Sequence, residues 1–278
     1  MNKHWVITPK RSSITIDVKS IQNYKHLLFQ LVRRDIVAFY KQTILGPLWF
    51  FIQPLLTTTV FTLVFGNFAK VSTDGVPRPL FYLAGIITWN YFSECLNKTS
   101  TVFRENANIF GKVYFPRIIV PIATIISVFV RFGIQFTLFT ASLIIYNYLG
   151  YRINITWAVS LFPFIVLLMA IQGLGMGIII SVLTVKYRDL IFLMSFGLQL
   201  LMYSTSIIYP LSATPANLKW IVQLNPMTAV IETFRYAFLG KGSFSWPLLG
   251  YSAIASACLI VTGLIIFHRA EKTFIDTI

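Results

Sequence analysis

Six times along its length this chain runs for 17 to 28 residues with at most one charged side chain: residues 46–68, 80–96, 119–146, 157–182, 190–209 and 247–267. About 20 apolar residues wound into a helix cross the roughly 30 Å hydrocarbon layer of a bilayer, whereas a transmembrane strand needs only about half as many. Runs of this length therefore specify helices, and the fold class that follows is an all-α integral membrane protein with six transmembrane helices. Composition agrees: 56% of the 278 residues are hydrophobic and 12% are charged, a balance that soluble domains rarely reach.

Charge then sets the orientation. Of the 23 Lys and Arg residues, Arg131 lies inside a run; with the N-terminus in the cytosol, sixteen of the others fall on cytosolic segments and six on external ones. That asymmetry follows the positive-inside rule and puts both termini in the cytosol. Residues 1–43 show no short apolar core followed by a small-residue cleavage site, so no cleavable signal peptide is expected. The net charge of +14 is spread over loops and juxtamembrane positions without a nucleic-acid-binding motif, which argues against nucleic acid as a partner. Two cysteines, Cys95 and Cys258, and three separated histidines offer neither a disulfide framework nor metal-ligand spacing.

Three organised segments flank the runs. Residues 1–23 form a polar leader in which Ile14, Ile16 and Val18 alternate as in a single edge strand. In residues 24–45, Tyr24, Leu28, Leu31, Val32, Ile36 and Phe39 share one helical face opposite His26, Gln30, Arg33, Arg34 and Lys41, which predicts an amphipathic helix lying along the cytosolic membrane surface. Asp35 interrupts the apolar stripe, where a bare carboxylate is costly; it calls for a local cation, Lys25 or a neighbouring arginine, or for a partner's donor. Residues 105–117, "ENANIFGKVYFPR", predict a short amphipathic cytosolic helix with Phe110, Val113 and Tyr114 on its apolar side, stopped by Pro116. A surface-lying helix satisfies this pattern, and so does a rigid projection that docks into a soluble partner. The external stretch 211–245 contains an apolar segment from Pro226 to Gly240 that is too short to cross and suits a re-entrant or interfacial helix.

No catalytic constellation stands out. Gly111-Lys112 and Gly240-Lys241 lack the upstream glycine and following Ser/Thr of a phosphate-cradling loop, so the chain is not expected to bind ATP itself. Glu94 and Arg131 are the charges within the runs, a poor set for a proton relay. Arg131 either snorkels, meets polar groups in the bundle, a bond to Glu94 among them, or faces an aqueous path. Phe50, Pro54, Thr57, Phe61 and Phe65 share a face of the first run, and Phe192, Phe196, Gln199 and Tyr203 a face of the fifth. Such faces stack on sugars, although lipid contact and helix packing are their commoner use. Trp89, Trp157 and Trp246 suit interface belts. Gly173 and Gly177 form a GxxxG pair that packs against a neighbouring helix or another subunit.

Four stretches carry a resemblance over about residues 24–278: "RRDIVAFYKQTILGPLWFFIQPLL", "VYFPRIIVPIATII", "VKYRDLIFLMSFGLQLLMYSTSIIYP" and "LNPMTAVIETFRYAFLGKG". In order and spacing they resemble the type-2 ABC exporter permeases for lipid-linked polysaccharides, the O-antigen/lipopolysaccharide export permeases, with capsule and teichoic-acid permeases as relatives. The resemblance implies a homodimer of six-span subunits in the bacterial inner membrane, surrounded by membrane lipids. It also implies two cytosolic ABC ATPase subunits that carry the ATP and Mg, leaving this chain a transport subunit rather than an enzyme. Transferred by motif, ATPase coupling falls to Arg34 and Asp35, to Glu105, Asn108, Lys112, Tyr114, Phe115, Pro116 and Arg117, and to Arg188 and Asp189. An external gate falls to Asn225, Pro226, Glu232 and Arg235, although Glu232 and Arg235 at i,i+3 equally suit a surface ion pair. The aromatic faces of the first and fifth runs would then offer stacking to a moving glycan. An ion-coupled lipid flippase or a membrane-embedded glycosyl- or acyltransferase are the competing readings.

Overall fold

The computed structural model describes residues 23–41, 44–106, 115–187 and 189–274, and every regular element among them is helical. In chain order these are α1 (Lys25–Lys41), α2 (Trp49–Phe61), α3 (Arg78–Ser100), α4 (Val102–Glu105), α5 (Ile119–Tyr148), α6 (Phe162–Lys186), α7 (Leu190–Tyr203), α8 (Ala216–Leu224), α9 (Pro226–Leu239) and α10 (Trp246–Phe274). A tight turn at Gly46–Leu48 leads into α2, which contains Pro54 and continues as a wide π-helical turn over Thr62–Phe68.

Among the described residues, four stretches are long and apolar enough to cross a bilayer: Gly46–Phe68, Ile119–Tyr148, Trp157–Thr184 and Trp246–Arg269. The other two runs differ from expectation in instructive ways. The second extends beyond 80–96 to the full 23 residues of α3, and sixteen of these are buried, because α3 is the axis around which its neighbours pack. Polar residues such as Thr88, Thr99 and Ser100 are tolerated there because protein rather than lipid surrounds them. The fifth run, 190–209, is not one continuous helix: α7 ends at Tyr203, and the backbone turns through residues 204–207.

Helix α6 lies between α3 and α10, and its glycines make the approach close. A methyl group on Gly173 would sit 2.5 Å from Cys95 Cβ, one on Gly177 2.6 Å from Thr99 Cβ, and one on Gly175, facing the other way, 2.8 Å from the Leu259 carbonyl carbon. The GxxxG pair therefore packs within the chain, against α3. Hydrogen bonds add to both seams: the Gln172 amide donates to Ser252 and Ser256 at 3.0 Å each, and the Thr184 hydroxyl donates to the Ser100 carbonyl at 3.1 Å.

The bundle has two distinct ends. At one, Leu31 of α1 shares a cluster with Val102, Phe103, Phe115, Ile119 and Phe267, and α1 lies against the start of α5. At the other, α9 is embedded: twelve of its 14 residues are buried. Phe234 and Phe238 of α9 meet Phe136, Phe139 and Phe162. The edge strand expected near Ile14–Val18 lies outside the described residues.

Candidate functional site

At the α1 end the charged residues converge on a cleft of about 270 Å³ between α1, the ends of α3 and α4, and the first half of α5. Its polar lining comprises Arg34, Asp35, Lys98, Glu105, Asn106, Thr124, Ser127 and Arg131. Thr124, Ser127 and Arg131 follow one another on α5 at i, i+3 and i+7, so a single stripe of that helix carries polarity inward. The Thr124 and Ser127 hydroxyls donate to the Val120 and Ala123 carbonyls, which satisfies them within the helix. At the mouth, Arg34 Nε and Nη2 both donate to Asp35 Oδ1, at 2.9 and 2.8 Å; the carboxylate in the apolar stripe is thus met by its adjacent arginine and not by Lys25.

Arg131 forms the floor. Its Nη1 donates to Glu94 Oε1, and its guanidinium lies 5.7 Å from the centre of the Phe50 ring. Of the three environments open to Arg131 from sequence, the structure selects an ion pair across α3 and α5. Pairing is what makes a guanidinium with 7% side-chain exposure tolerable there.

The remaining coupling candidates are dispersed. Phe115 is buried beneath α1, and the Pro116 carbonyl accepts from Ile119 N–H at 3.1 Å to begin α5, with Arg117 half-buried beside it. Glu105 closes α4 rather than opening a helix, and Asp189 is an exposed residue immediately before α7. Asn108, Lys112, Tyr114 and Arg188 lie outside the described residues, as does most of the helix expected over 105–117.

At the opposite end Glu232 and Arg235 are each 1% exposed, which overturns the surface ion pair. Arg235 donates to the main-chain carbonyls of Ser206, Ile207 (2.8 Å) and Phe81 (3.4 Å), and its guanidinium stacks 3.5 Å from the centre of the Phe81 ring. Glu232 lies 3.6 Å from Arg235 and accepts from the Leu211 N–H (3.3 Å) and the Ser243 N–H (2.7 Å). These two side chains tie both flanks of the 211–245 stretch to α3. Asn225 caps α9 by accepting from Met227 N–H at 3.0 Å, with Pro226 at the first helical position. Nearby, Asp74 accepts from the Ser212 hydroxyl at 2.7 and 2.9 Å, a link across 138 positions that residue spacing does not reveal.

The two aromatic faces separate. Phe50 and Pro54 are buried, and Phe61 and Phe65 turn inward, Phe61 contacting Tyr82 of α3 edge to face at 6.1 Å, with Thr57 half-buried on the same side. That face is packing surface within the subunit; the open side of α2 carries Leu55, Leu56, Val60, Leu63 and Val64 instead. Phe192, Phe196, Gln199 and Tyr203 of α7 are all exposed on the described chain.

Residues 26–239, from α1 to the last residue of α9, match the ABC-2 type transporter family. The chain belongs to that family. Among relatives, it is 27% identical to the O-antigen export system permease protein RfbA of Klebsiella pneumoniae, over 90% of this chain and 94% of that protein. It is 27% identical to the RfbA of Myxococcus xanthus over 94% of this chain and 98% of the other. It is 23% identical to the polysialic acid transport protein KpsM of Escherichia coli over 89% and 94%. The chain is thus an ABC-2 permease, a multi-pass membrane transport subunit. The charged cleft and the Glu232–Arg235 centre both fall within the matched region. What sequence reasoning missed in this ABC-2 chain are the main-chain partners of Arg235: carbonyls leave no trace in residue identity.

Proposed function

We propose that this chain is the membrane subunit of an ATP-driven exporter that carries a lipid-linked polysaccharide of the O-antigen kind across the bacterial inner membrane. The names of its relatives support the cargo, and the charged cleft supports the drive. Arg34, Asp35 and Glu105, assigned to ATPase coupling by motif, line one cleft with Arg131, the charge deep in the bundle. A push on α1 from the cytosol would reach α5 and α3 through that cleft without a relay of titrating groups.

In this reading α3 and α7 complete a set of six crossings, the α1 end faces the cytosol, and α9 re-enters from outside. Two copies associate with two cytosolic ATPase subunits, which hold the ATP and Mg. The glycan then moves past the open α7 face of Phe192, Phe196, Gln199 and Tyr203. Weak, repeated stacking serves such a path better than one tight site, since cargo must also leave.

The test is export in sealed vesicles containing this chain with its cytosolic ATPase and a radiolabelled lipid-linked glycan. Transport is expected only with hydrolysable ATP, and a chain that moves the glycan alone, or with an ion gradient in place of ATP, overturns the proposal. The capsule-exporting relatives support a second cargo; loss of capsule with O-antigen retained in a deletion strain selects it.

A further inference from the structure

Helix α7 stops without a stop signal. Between Tyr203 and Pro210 the chain reads Ser-Thr-Ser-Ile-Ile-Tyr, with no glycine or proline to end a helix, and the apolar run itself continues to Tyr209. At 14 residues α7 is about 21 Å long, short of the roughly 30 Å hydrocarbon layer; carried on to Tyr209 it would reach about 20 residues and about 30 Å. An end that the local sequence does not write has to be imposed by a neighbour.

The bonds around residues 204–207 show which one. The carbonyls of Ser206 and Ile207 both accept from Arg235 of α9. That guanidinium is seated on α3: a methyl group on Gly85 would stand 2.8 Å from Arg235 Nη2 and 3.2 Å from Ile207 Cγ2, so only glycine leaves room there for the clamp and the turn together. Earlier carbonyls are taken as well, that of Leu201 by the Asn225 amide at 3.3 Å and that of Tyr203 by the Tyr209 hydroxyl at 2.9 Å. Away from water, such bonds are what make an interrupted helix tolerable. Two buried atoms gain nothing from the arrangement: Ser206 Oγ and Arg235 Nε meet no hydrogen-bond partner among the described residues. Were α7 to continue, Ser206 Oγ would lie one turn beyond the Met202 carbonyl, the position from which a helical serine donates back to residue i−4. The clamped turn thus leaves unmet a group that the longer helix would satisfy.

We infer that Arg235 is a positioning residue that holds α7 in a shortened state, and that loosening its grip on Ser206 and Ile207 lets the helix run on to Tyr209, with Pro210 as its stop. If the glycan path follows α7 as proposed, the clamp makes the length of that wall depend on α9; the length itself is read without any cargo. Nitroxide labels are placed at Leu193→Cys and Ala213→Cys, both exposed, in the full chain carrying Cys258→Ser, with the fully buried Cys95 retained. The labelled protein is mixed with an excess of unlabelled chain and reconstituted in phosphatidylethanolamine/phosphatidylglycerol vesicles, so that pulsed dipolar spectroscopy reads the separation within one chain. The labelled parent is expected to give the shorter separation. Arg235→Lys keeps the charge beside Glu232 but replaces a two-pronged donor by a point, and Gly85→Ala pushes the guanidinium off α3; each is expected to lengthen the separation, by up to about 9 Å for six added helical residues. An unchanged separation in both folded variants overturns the inference, because the turn then persists without its clamp. So does loss of folding by both, which makes the guanidinium a strut with no second state.

Discussion

Arg131 and Glu94 hold one another 37 positions apart in sequence, the guanidinium buried and the carboxylate partly open. Because Arg131 has 7% side-chain exposure and Glu94 28%, the two single changes should be unequal. Glu94→Gln strands a buried guanidinium and should lower the unfolding free energy in detergent by about 2 kcal/mol. Arg131→Gln leaves a carboxylate with partial access to water and should cost less. Changing both should recover part of the loss, with a coupling energy of about 1–3 kcal/mol in a thermal-unfolding double-mutant cycle; strict additivity would mean that the ion pair does not form. The sequence singled out both charges because the runs contain no others, yet it could not decide among partners, since pairing across two helices depends on their rotation. The same limit hid the burial of Glu232 and Arg235. Their i,i+3 spacing is as good on a wet surface as inside, and the carbonyls that receive the guanidinium carry no side-chain signature.

Helices were legible from length and apolarity, but their faces were not. In a soluble protein the apolar stripe points inward; in a bilayer both lipid and core are apolar, so hydrophobicity does not tell them apart. That is why the Phe50–Phe61–Phe65 face could be read as path as well as the commoner packing and proved to be packing against α3, while α7, of similar composition, is open. Small residues were the better guide. Gly173 and Gly177 marked the α3–α6 seam, and substitution should respect it: Gly173→Ala drives a methyl group to 2.5 Å from Cys95 Cβ and should destabilise the chain by about 1–3 kcal/mol. By contrast Gly197→Ala and Gly250→Ala meet nothing within 4 Å and should be neutral or stabilising by up to about 1 kcal/mol through helix propensity. Thermal stability of the three purified variants orders them; equal values would mean that the seam is loose.

For the whole molecule, the all-helical membrane fold and the family were readable from the apolar runs and four motifs, while the cleft that brings three of the coupling candidates together needed three dimensions. α1 contributes Arg34 and Asp35, α4 contributes Glu105, and α5 contributes Arg131, from opposite flanks of two runs. If that cleft transmits work, replacing Arg34 and Asp35 together by Ala should leave the chain folded, since both sit at its rim. Export should fall at least about tenfold at a given rate of ATP hydrolysis by the associated ATPase, equivalent to some 1.4 kcal/mol of lost coupling. Parallel assays of hydrolysis and glycan movement in the same vesicles check this, and an unchanged ratio of the two would assign coupling elsewhere. The glycine seams carry a mechanical corollary. With no room for even a methyl group between α6 and either neighbour, α3, α6 and α10 form a plate that resists shear, so a conduit wide enough for a sugar chain would open at its margin, beside the apolar faces that α2 and α7 leave uncovered.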